Sequence, residues 1–287
     1  MIHQAKILDG TRIADKYLEM AREKIQGINR ASSGTLTLAT LQIGESNDAT
    51  LYARYLKGLL GKIGIRLTSV VLDGNSSEEA AIREILKLNT DPQVTGIMIF
   101  SPLPHRISAV NLLDNLDMRK DVEGRTFLKS HFGVFSPTAN AVLALLEETH
   151  CDFVGKEAVI VGHSDLVGKP TAVLLMDRMA TVTVCHKATR DLKAHLQNAD
   201  IVVAAVGKPG VVNGEWIKPG AIVIDVGENV VDGKLVGDVV FETAKDRAAF
   251  ISPVPGGVGP VTNVMLIKNL LMLHELNTQR NGRNGSR

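Results

Sequence analysis

The segment Val159-Ile160-Val161-Gly162-His163-Ser164-Asp165-Leu166-Val167-Gly168-Lys169-Pro170 decides the fold. A branched apolar run ends at a glycine, a polar loop follows, and a second glycine with a proline close behind opens a helix over 171–179. The two glycines allow a tight turn and close approach of the backbone to a ligand. Pro170 fits the first helical turn, where its missing N–H does no harm. The free N–H groups of such a helix start would face a pyrophosphate. A strand over 181–184 then completes a βαβ unit. The third glycine of the common dinucleotide fingerprint is absent, so a plain βα turn is the competing reading of this segment.

Further strands are expected over 157–161, 201–206 and 221–226. All are nearly continuous apolar runs, which implies burial on both faces in a parallel sheet covered by helices. Val206-Gly207-Lys208-Pro209-Gly210 and Asp225-Val226-Gly227-Glu228 follow the last two strands. They place glycines at strand carboxyl ends, where nucleotides lie in doubly wound sheets, although glycine serves ordinary loops as well. The 181–184 strand runs into Cys185-His186-Lys187-Ala188-Thr189. No carboxylate stands there to bind ribose hydroxyls, and Lys187 can pair with a 2′-phosphate, which favours NADP over NAD. A solvated surface lysine is the alternative.

The first half alternates in the same way. Strands are expected over 36–43, 67–72 and 96–100. Helices are expected over 47–63, with Leu51, Tyr55, Leu59 and Ile63 at four-residue spacing, and over 77–88 behind Ser77. The 96–100 strand stops at Ser101-Pro102-Leu103-Pro104. A connecting helix is expected over 137–149 and a last helix over 262–276, with 277–287 read as a disordered tail. Three prolines and three glycines in Pro253–Pro260 define a loop whose flat backbone can lie against a planar ligand or act as a hinge.

Composition sets the outer limits. A chain of 287 residues accommodates about two domains. With 32 Lys and Arg against 31 Asp and Glu, the balance argues against a nucleic-acid binder relying on a broad basic surface, though not against a local patch. No apolar run reaches the ~18 residues of a membrane span. The first residues lack the apolar core of a secretory signal, and Cys151 and Cys185 have no metal-ligand spacing. These features point to a cytoplasmic protein with no structural metal.

Taken together, the segments resemble the methylenetetrahydrofolate dehydrogenase/cyclohydrolase family over the full length. The cofactor half carries Gly162-x-Ser164-x-x-Val167-Gly168-x-Pro170, Ala205 to Gly210, Asp225-Val226-Gly227 and Pro253 to Pro260, in the family's order. The other half adds Ile7-Leu8-Asp9-Gly10, Gly44 with Ser46 and Tyr52, Pro102-Leu103-Pro104, and Lys120-Asp121-Val122-x-Gly124. The resemblance implies an α/β fold of two domains with a cleft between them. One is an N-terminal α/β substrate domain, residues 1–136 plus 262–287. The other is a Rossmann-like, doubly wound NADP domain, residues 137–261. It further implies a homodimer that oxidises 5,10-methylenetetrahydrofolate with NADP, in many members followed by hydrolysis of the methenyl product.

Carried over residue by residue, the resemblance gives a cofactor set of Gly162, His163, Ser164, Val167, Gly168, Pro170, His186, Lys187, Val206, Gly207 and Glu228. The substrate set is Tyr52, Leu56, Ile99, Phe100, Ser101, Glu123, Pro255, Gly256, Gly257, Val258 and Gly259. Tyr52, Lys57 and Glu123 are the catalytic candidates.

The departures cluster on the substrate side. The family's Tyr-x-x-x-Lys becomes Tyr52 with Leu56, and Lys57 sits one residue, or about 100° of helix, further round. Phe100 replaces a glutamine, and Glu123 replaces an aspartate. Glu228 and Asn263 replace apolar residues, and the stretch from Glu123 to Thr138 is shortened. Hydride transfer needs mainly a well-held carbon, whereas hydrolysis needs proton transfer, which Leu56 and Phe100 cannot provide. The expectation is therefore a dehydrogenase with weak or lost cyclohydrolase activity. The competing readings are an NADP enzyme acting on a non-folate small molecule and a non-catalytic nucleotide-binding homologue.

Overall fold

The structure is a computed structural model that describes residues 4–31, 35–129 and 133–284. The chain opens with β1 (Lys6–Ile7), α1 (Gly10–Ala31), β2 (Thr37–Ile43), α2 (Asn47–Gly61), β3 (Arg66–Leu72), α3 (Glu78–Thr90), β4 (Gly96–Ile99) and α4 (Ala109–Asp114). Next come α5 (Pro137–Glu147), β5 (Glu157–Val161), α6 (Gly168–Met176), β6 (Thr181–Cys185), α7 (Leu192–Leu196), β7 (Ile201–Ala204) and β8 (Ile222–Asp225). The last elements are β9 (Asn229–Val231), β10 (Lys234–Val236), α8 (Phe241–Lys245), β11 (Phe250–Ile251) and α9 (Val258–Asn284).

Two compact units form. One contains the residues up to Tyr17 together with Ser136–Met265; the other contains Leu18–Phe135 and the residues from Leu266 onward. The sequence reading assigns the first 17 residues to the substrate unit. In the structure residues 4–17 group with the larger sheet, where β1 pairs with β11 at its edge.

The larger sheet has the order β1-β11-β8-β7-β5-β6, and every pair in it is parallel. From β5 the chain goes to β6 on one side and then to β7 on the other. The carboxyl ends of β5 and β7 therefore flank a topological switch point, the usual ligand crevice of an open α/β sheet. All residues of β7 and β8 are buried. Val159, Val161, Val202 and Val223 join Leu196, Ile217 and Ala244 in one core cluster. Helices α5 and α6 pack on each other, with α5 against β8 and α6 against β5. Such strands are buried on both faces, as their unbroken apolar sequence requires.

The smaller sheet has the order β3-β2-β4 and is also parallel. Alternation along β2 feeds two cores. Ala39, Leu41 and Ile43 meet Ala81, Ile85 and Leu112 from α3 and α4. Leu38 meets Ile25 of α1, Leu56 and Leu60 of α2, and Leu266, Leu270 and Leu273 of α9.

Several elements differ from expectation: β1, α1, α4, α7, α8 and β9–β11 are additional, and α9 extends beyond the expected helix at both ends. The 22-residue α1 has no counterpart among the expected elements, although Ile13, Tyr17, Ala21, Ile25 and Ile28 recur at three- or four-residue spacing; Asp9 caps it by accepting from the Thr11 and Arg12 amides. The expected tail from Asn277 is helical to Asn284 as part of α9. The last three residues lie outside the described ones.

Candidate active site

At the switch point the loop after β5 is folded on itself. Gly162 has φ 126°, and a side chain there would meet the Ala205 carbonyl; one on Gly168 would meet the Gly162 carbonyl. Both positions therefore require glycine. The helix-start amides expected to be free are partly taken up. Ser164 Oγ accepts from Val167 N at 3.2 Å, and the Ser164 carbonyl accepts from Lys169 N at 3.0 Å. The serine acts as an internal cap, and Pro170 has no donor to satisfy. The loop is thereby preformed, with His163, Ser164 and Asp165 exposed, while Val167 is half-buried and Pro170 is buried.

After β6 a second tight turn presents cations. The His186 amide donates to Thr189 Oγ1 at 2.9 Å, the Thr189 amide donates to the His186 carbonyl at 2.8 Å, and the Ala188 amide donates to His186 Nδ1 at 3.2 Å. Lys187 and Arg190 are exposed around this turn. The rings of His163 and His186 lie 5.2 Å apart, so the structure brings these two loops together. Val206 and Gly207, at the end of β7, are exposed beside them in the sheet order. No carboxylate occupies the end of β6, and the surface there suits a phosphate-bearing nucleotide.

The Pro253–Pro260 loop belongs to the same unit. The Gly10 amide donates to the Gly256 carbonyl at 2.8 Å, which ties the loop to the start of α1. Pro255 is exposed, Gly256 and Gly259 are half-buried, and Gly257 and Val258 are buried. Glu228 is exposed, and a side chain at Gly259 would run into its Oε1.

In the other unit, Tyr52 and Phe100 meet edge to face with ring centroids 6.1 Å apart. Tyr55, one turn along α2, stacks on Tyr52 at 6.4 Å. Phe100 also borders a pocket of about 430 Å³ whose polar lining includes Thr40, Gln42, Thr50 and Ser69. Ser101 is exposed at a cis bond to Pro102.

Glu123 is partly buried, and its Oε2 accepts from the Ile99 amide at 3.3 Å. Burial pushes its carboxyl up to about 7; neighbouring Asp121 adds to the rise, while Arg125 and the Ile99 N–H oppose it. The segment is held from two sides. Asp121 Oδ2 accepts from both the amide and hydroxyl of Thr126 at 2.8 Å. Asn269 of α9 donates to the carbonyls of Val122, at 2.9 Å, and Phe135, at 2.8 Å.

Two sequence expectations, Leu56 and Ile99, need correction. Leu56 is fully buried in the core and presents no surface to a ligand. Ile99 is buried among α3 and α4 residues and reaches the site through its N–H alone. Lys57 is exposed, because one helical residue turns it off the Leu56 face. Asn269 was missed: it pins Glu123's neighbour from more than 140 positions away, and no local motif marks it. Among the described residues, no cluster of three His, Cys, Asp or Glu side chains could hold a metal.

The raised carboxyl carries a prediction. A folded-state pKa above the ordinary 4.5 favours the protonated, folded form. That stabilisation is complete below about 4.5 and is lost as pH rises through about 7. Relative to Glu123→Gln, the native protein is expected to lose about 3 kcal/mol between pH 4 and pH 8. Urea midpoints of both proteins across that range measure it, and a constant difference refutes it.

Comparisons with known proteins converge. The model of the tetrahydrofolate dehydrogenase/cyclohydrolase catalytic domain matches residues 8–123, and that of the NAD(P)-binding domain of the same enzymes matches residues 136–278. The chain is 41% identical over 276 residues to bifunctional protein FolD 2 of Geobacter sulfurreducens, covering 93% of this chain and 96% of that protein. It is similar to the methylenetetrahydrofolate dehydrogenase-cyclohydrolase of Trypanosoma brucei complexed with NADP and an inhibitor, with TM-score 0.88 and 37% identity, covering 96% of this chain and 99% of that one. The bifunctional enzyme of Campylobacter jejuni matches with TM-score 0.91 and 33% identity, over 95% and 99% of the two chains.

Proposed function

Because the chain belongs to the tetrahydrofolate dehydrogenase/cyclohydrolase family, we propose that it has kept the family's oxidation step and given up most of its hydrolysis step. It oxidises 5,10-methylenetetrahydrofolate to 5,10-methenyltetrahydrofolate with NADP. The observation that carries the loss is Leu56, an aliphatic side chain sunk in the core where the resemblance implies a lysine.

The residues present fit NADP. The Gly162–Gly168 loop folds tightly on backbone carbonyls at its two glycines and opens α6, the βα-turn setting in which a pyrophosphate binds, and the turn after β6 offers the cations of Lys187 and Arg190 for a 2′-phosphate. NADP, when bound, accepts the hydride. The chain's own part is to bind and orient. Tyr52, braced edge to face by the buried Phe100, gives the folate an aromatic surface, and Glu123 offers hydrogen-bonding oxygens to the pterin edge. Oxidation of the one-carbon bridge leaves a cationic product, so hydride transfer requires no general base from the protein. Hydrolysis requires proton transfer, which neither Leu56 nor Phe100 can supply.

We read the molecule further as a cytoplasmic homodimer. The family resemblance and the free thiols of Cys151 and Cys185 support this, and light scattering with cell fractionation tests it. No helix among the described residues is long and apolar enough to cross a membrane. The activity is tested by mixing enzyme, 5,10-methylenetetrahydrofolate and either NADP or NAD. Turnover with NADP is expected. Enzyme that binds NADP but turns over with neither cofactor would reveal a different small-molecule substrate.

A further inference from the structure

Beside the nucleotide loops lies a carboxylate that the mechanism above does not use. Asp238 is fully buried after the β9–β10 hairpin. Its Oδ2 accepts from the amides of Val206, at 2.6 Å, and Gly207, at 3.0 Å. Its Oδ1 accepts from the Lys208 amide at 2.8 Å and from Asn229 Nδ2 at 2.9 Å. Three consecutive N–H groups converging on one point form a backbone nest, a concavity that ordinarily takes an anion. Here the anion is internal. A carboxylate stripped of water is costly unless its lone pairs are filled, and four donors fill them.

Asp238 is itself held in place. Asp225, at the end of β8, accepts from the amides of Asp238 and Val239, both at 2.9 Å. The Asp225 amide donates to Ser252 Oγ at 2.8 Å, just ahead of the Pro253–Pro260 loop. One buried hydrogen-bonded chain therefore runs from β8 to the exposed end of β7, where Val206 is 38% exposed. The end of β7 flanks the switch-point crevice, and all three amides of its loop donate to this one carboxylate.

We propose that Asp238 is a positioning residue for NADP: it sets the conformation of the 206–208 loop against which the nucleotide binds. The inference rests on the nucleotide-site reading above. Since the nest is filled from inside, the loop offers a nucleotide its carbonyl oxygens and the Val206 side chain rather than its amides. It thus contributes to the non-phosphate part of the cofactor, while the Gly162 and Lys187 loops take the phosphates.

The test is Asp238→Asn, which keeps the shape but turns an amide toward two of the donors. NADP affinity, measured by calorimetry, is expected to fall about tenfold or more. The KM for 5,10-methylenetetrahydrofolate should stay within about twofold, with an unchanged circular dichroism spectrum. An unchanged NADP affinity in the folded variant overturns the proposal, as does an equal loss for both ligands. Should the variant fail to fold, hydrogen exchange on the native protein decides: the Val206, Gly207 and Lys208 amides should exchange at least about a hundredfold slower than free amides, and free-amide rates overturn it. Calorimetry needs no turnover. Native protein that binds NADP without oxidising the folate therefore counts against the proposed activity and leaves this inference to be decided on affinity and exchange.

Discussion

Given 5,10-methylenetetrahydrofolate and NADP, the native enzyme is expected to accumulate 5,10-methenyltetrahydrofolate, its enzymatic hydrolysis running about a hundredfold or more below its formation. A positioned acid or base contributes roughly 10²- to 10⁴-fold to such a step, and its removal costs that factor. The site around Tyr52 has an aliphatic residue at 56 and an aromatic one at 100, neither of which carries a transferable proton. Lys57 lies exposed, turned about 100° of helix from the Leu56 face. The reverse experiment is Leu56→Lys with Phe100→Gln, expected to raise hydrolysis at least tenfold over the native enzyme. The pair must be made together. Leu56 and Phe100 share one core cluster, and a lone lysine placed there is a buried, unpaired charge costing about 3–5 kcal/mol. Glutamine at 100 gives the ammonium a partner and room to reach the pocket bordered by that residue. Thermal melting separates a failed fold from a failed idea; a folded double variant with native hydrolysis rates sinks the account.

The same residues show what a sequence can disclose. The βαβ unit at 157–185 was legible because unbroken apolar strands, glycines and Pro170 all express local rules. The helical phase of Lys57 was legible too, as a consequence of 3.6 residues per turn. The direction of Leu56 was not, because whether an apolar helix residue lines a ligand site or a core depends on what packs opposite it. Here those partners are Leu38 and α9. Helix α1 is legible by the same rule, since Ile13, Tyr17, Ala21, Ile25 and Ile28 recur at helical spacing, although it is missing from the expected elements. Asp238 and Asn269 could not be found at all. Their partners lie about 30 and more than 130 positions away, and only the fold brings them within hydrogen-bonding distance.

Cofactor choice is the second large effect, and in the function proposed above it turns on Lys187. Lys187→Asp is expected to lower the NADP-to-NAD ratio of kcat/KM by about a hundredfold or more. The lysine sits in a turn already fixed by the His186–Thr189 hydrogen bonds, so its charge is offered without a large ordering cost. A charge-assisted hydrogen bond to a phosphate contributes about 1.5–3 kcal/mol, which is about ten- to a hundredfold at 1.4 kcal/mol per decade. Aspartate removes that bond, repels the phosphate and supplies an acceptor for the ribose hydroxyls of NAD, so it acts on both sides of the ratio. Arg190 and His186 remain nearby and keep some NADP binding, which is why the ratio falls without the cofactor site being lost. Salt gives an independent reading: NADP affinity should weaken with ionic strength more steeply in the native enzyme than in the variant. If the ratio and the salt slope both stay unmoved, Lys187 is a solvated surface lysine, and the discrimination between the two cofactors must come from Arg190 or from outside this turn.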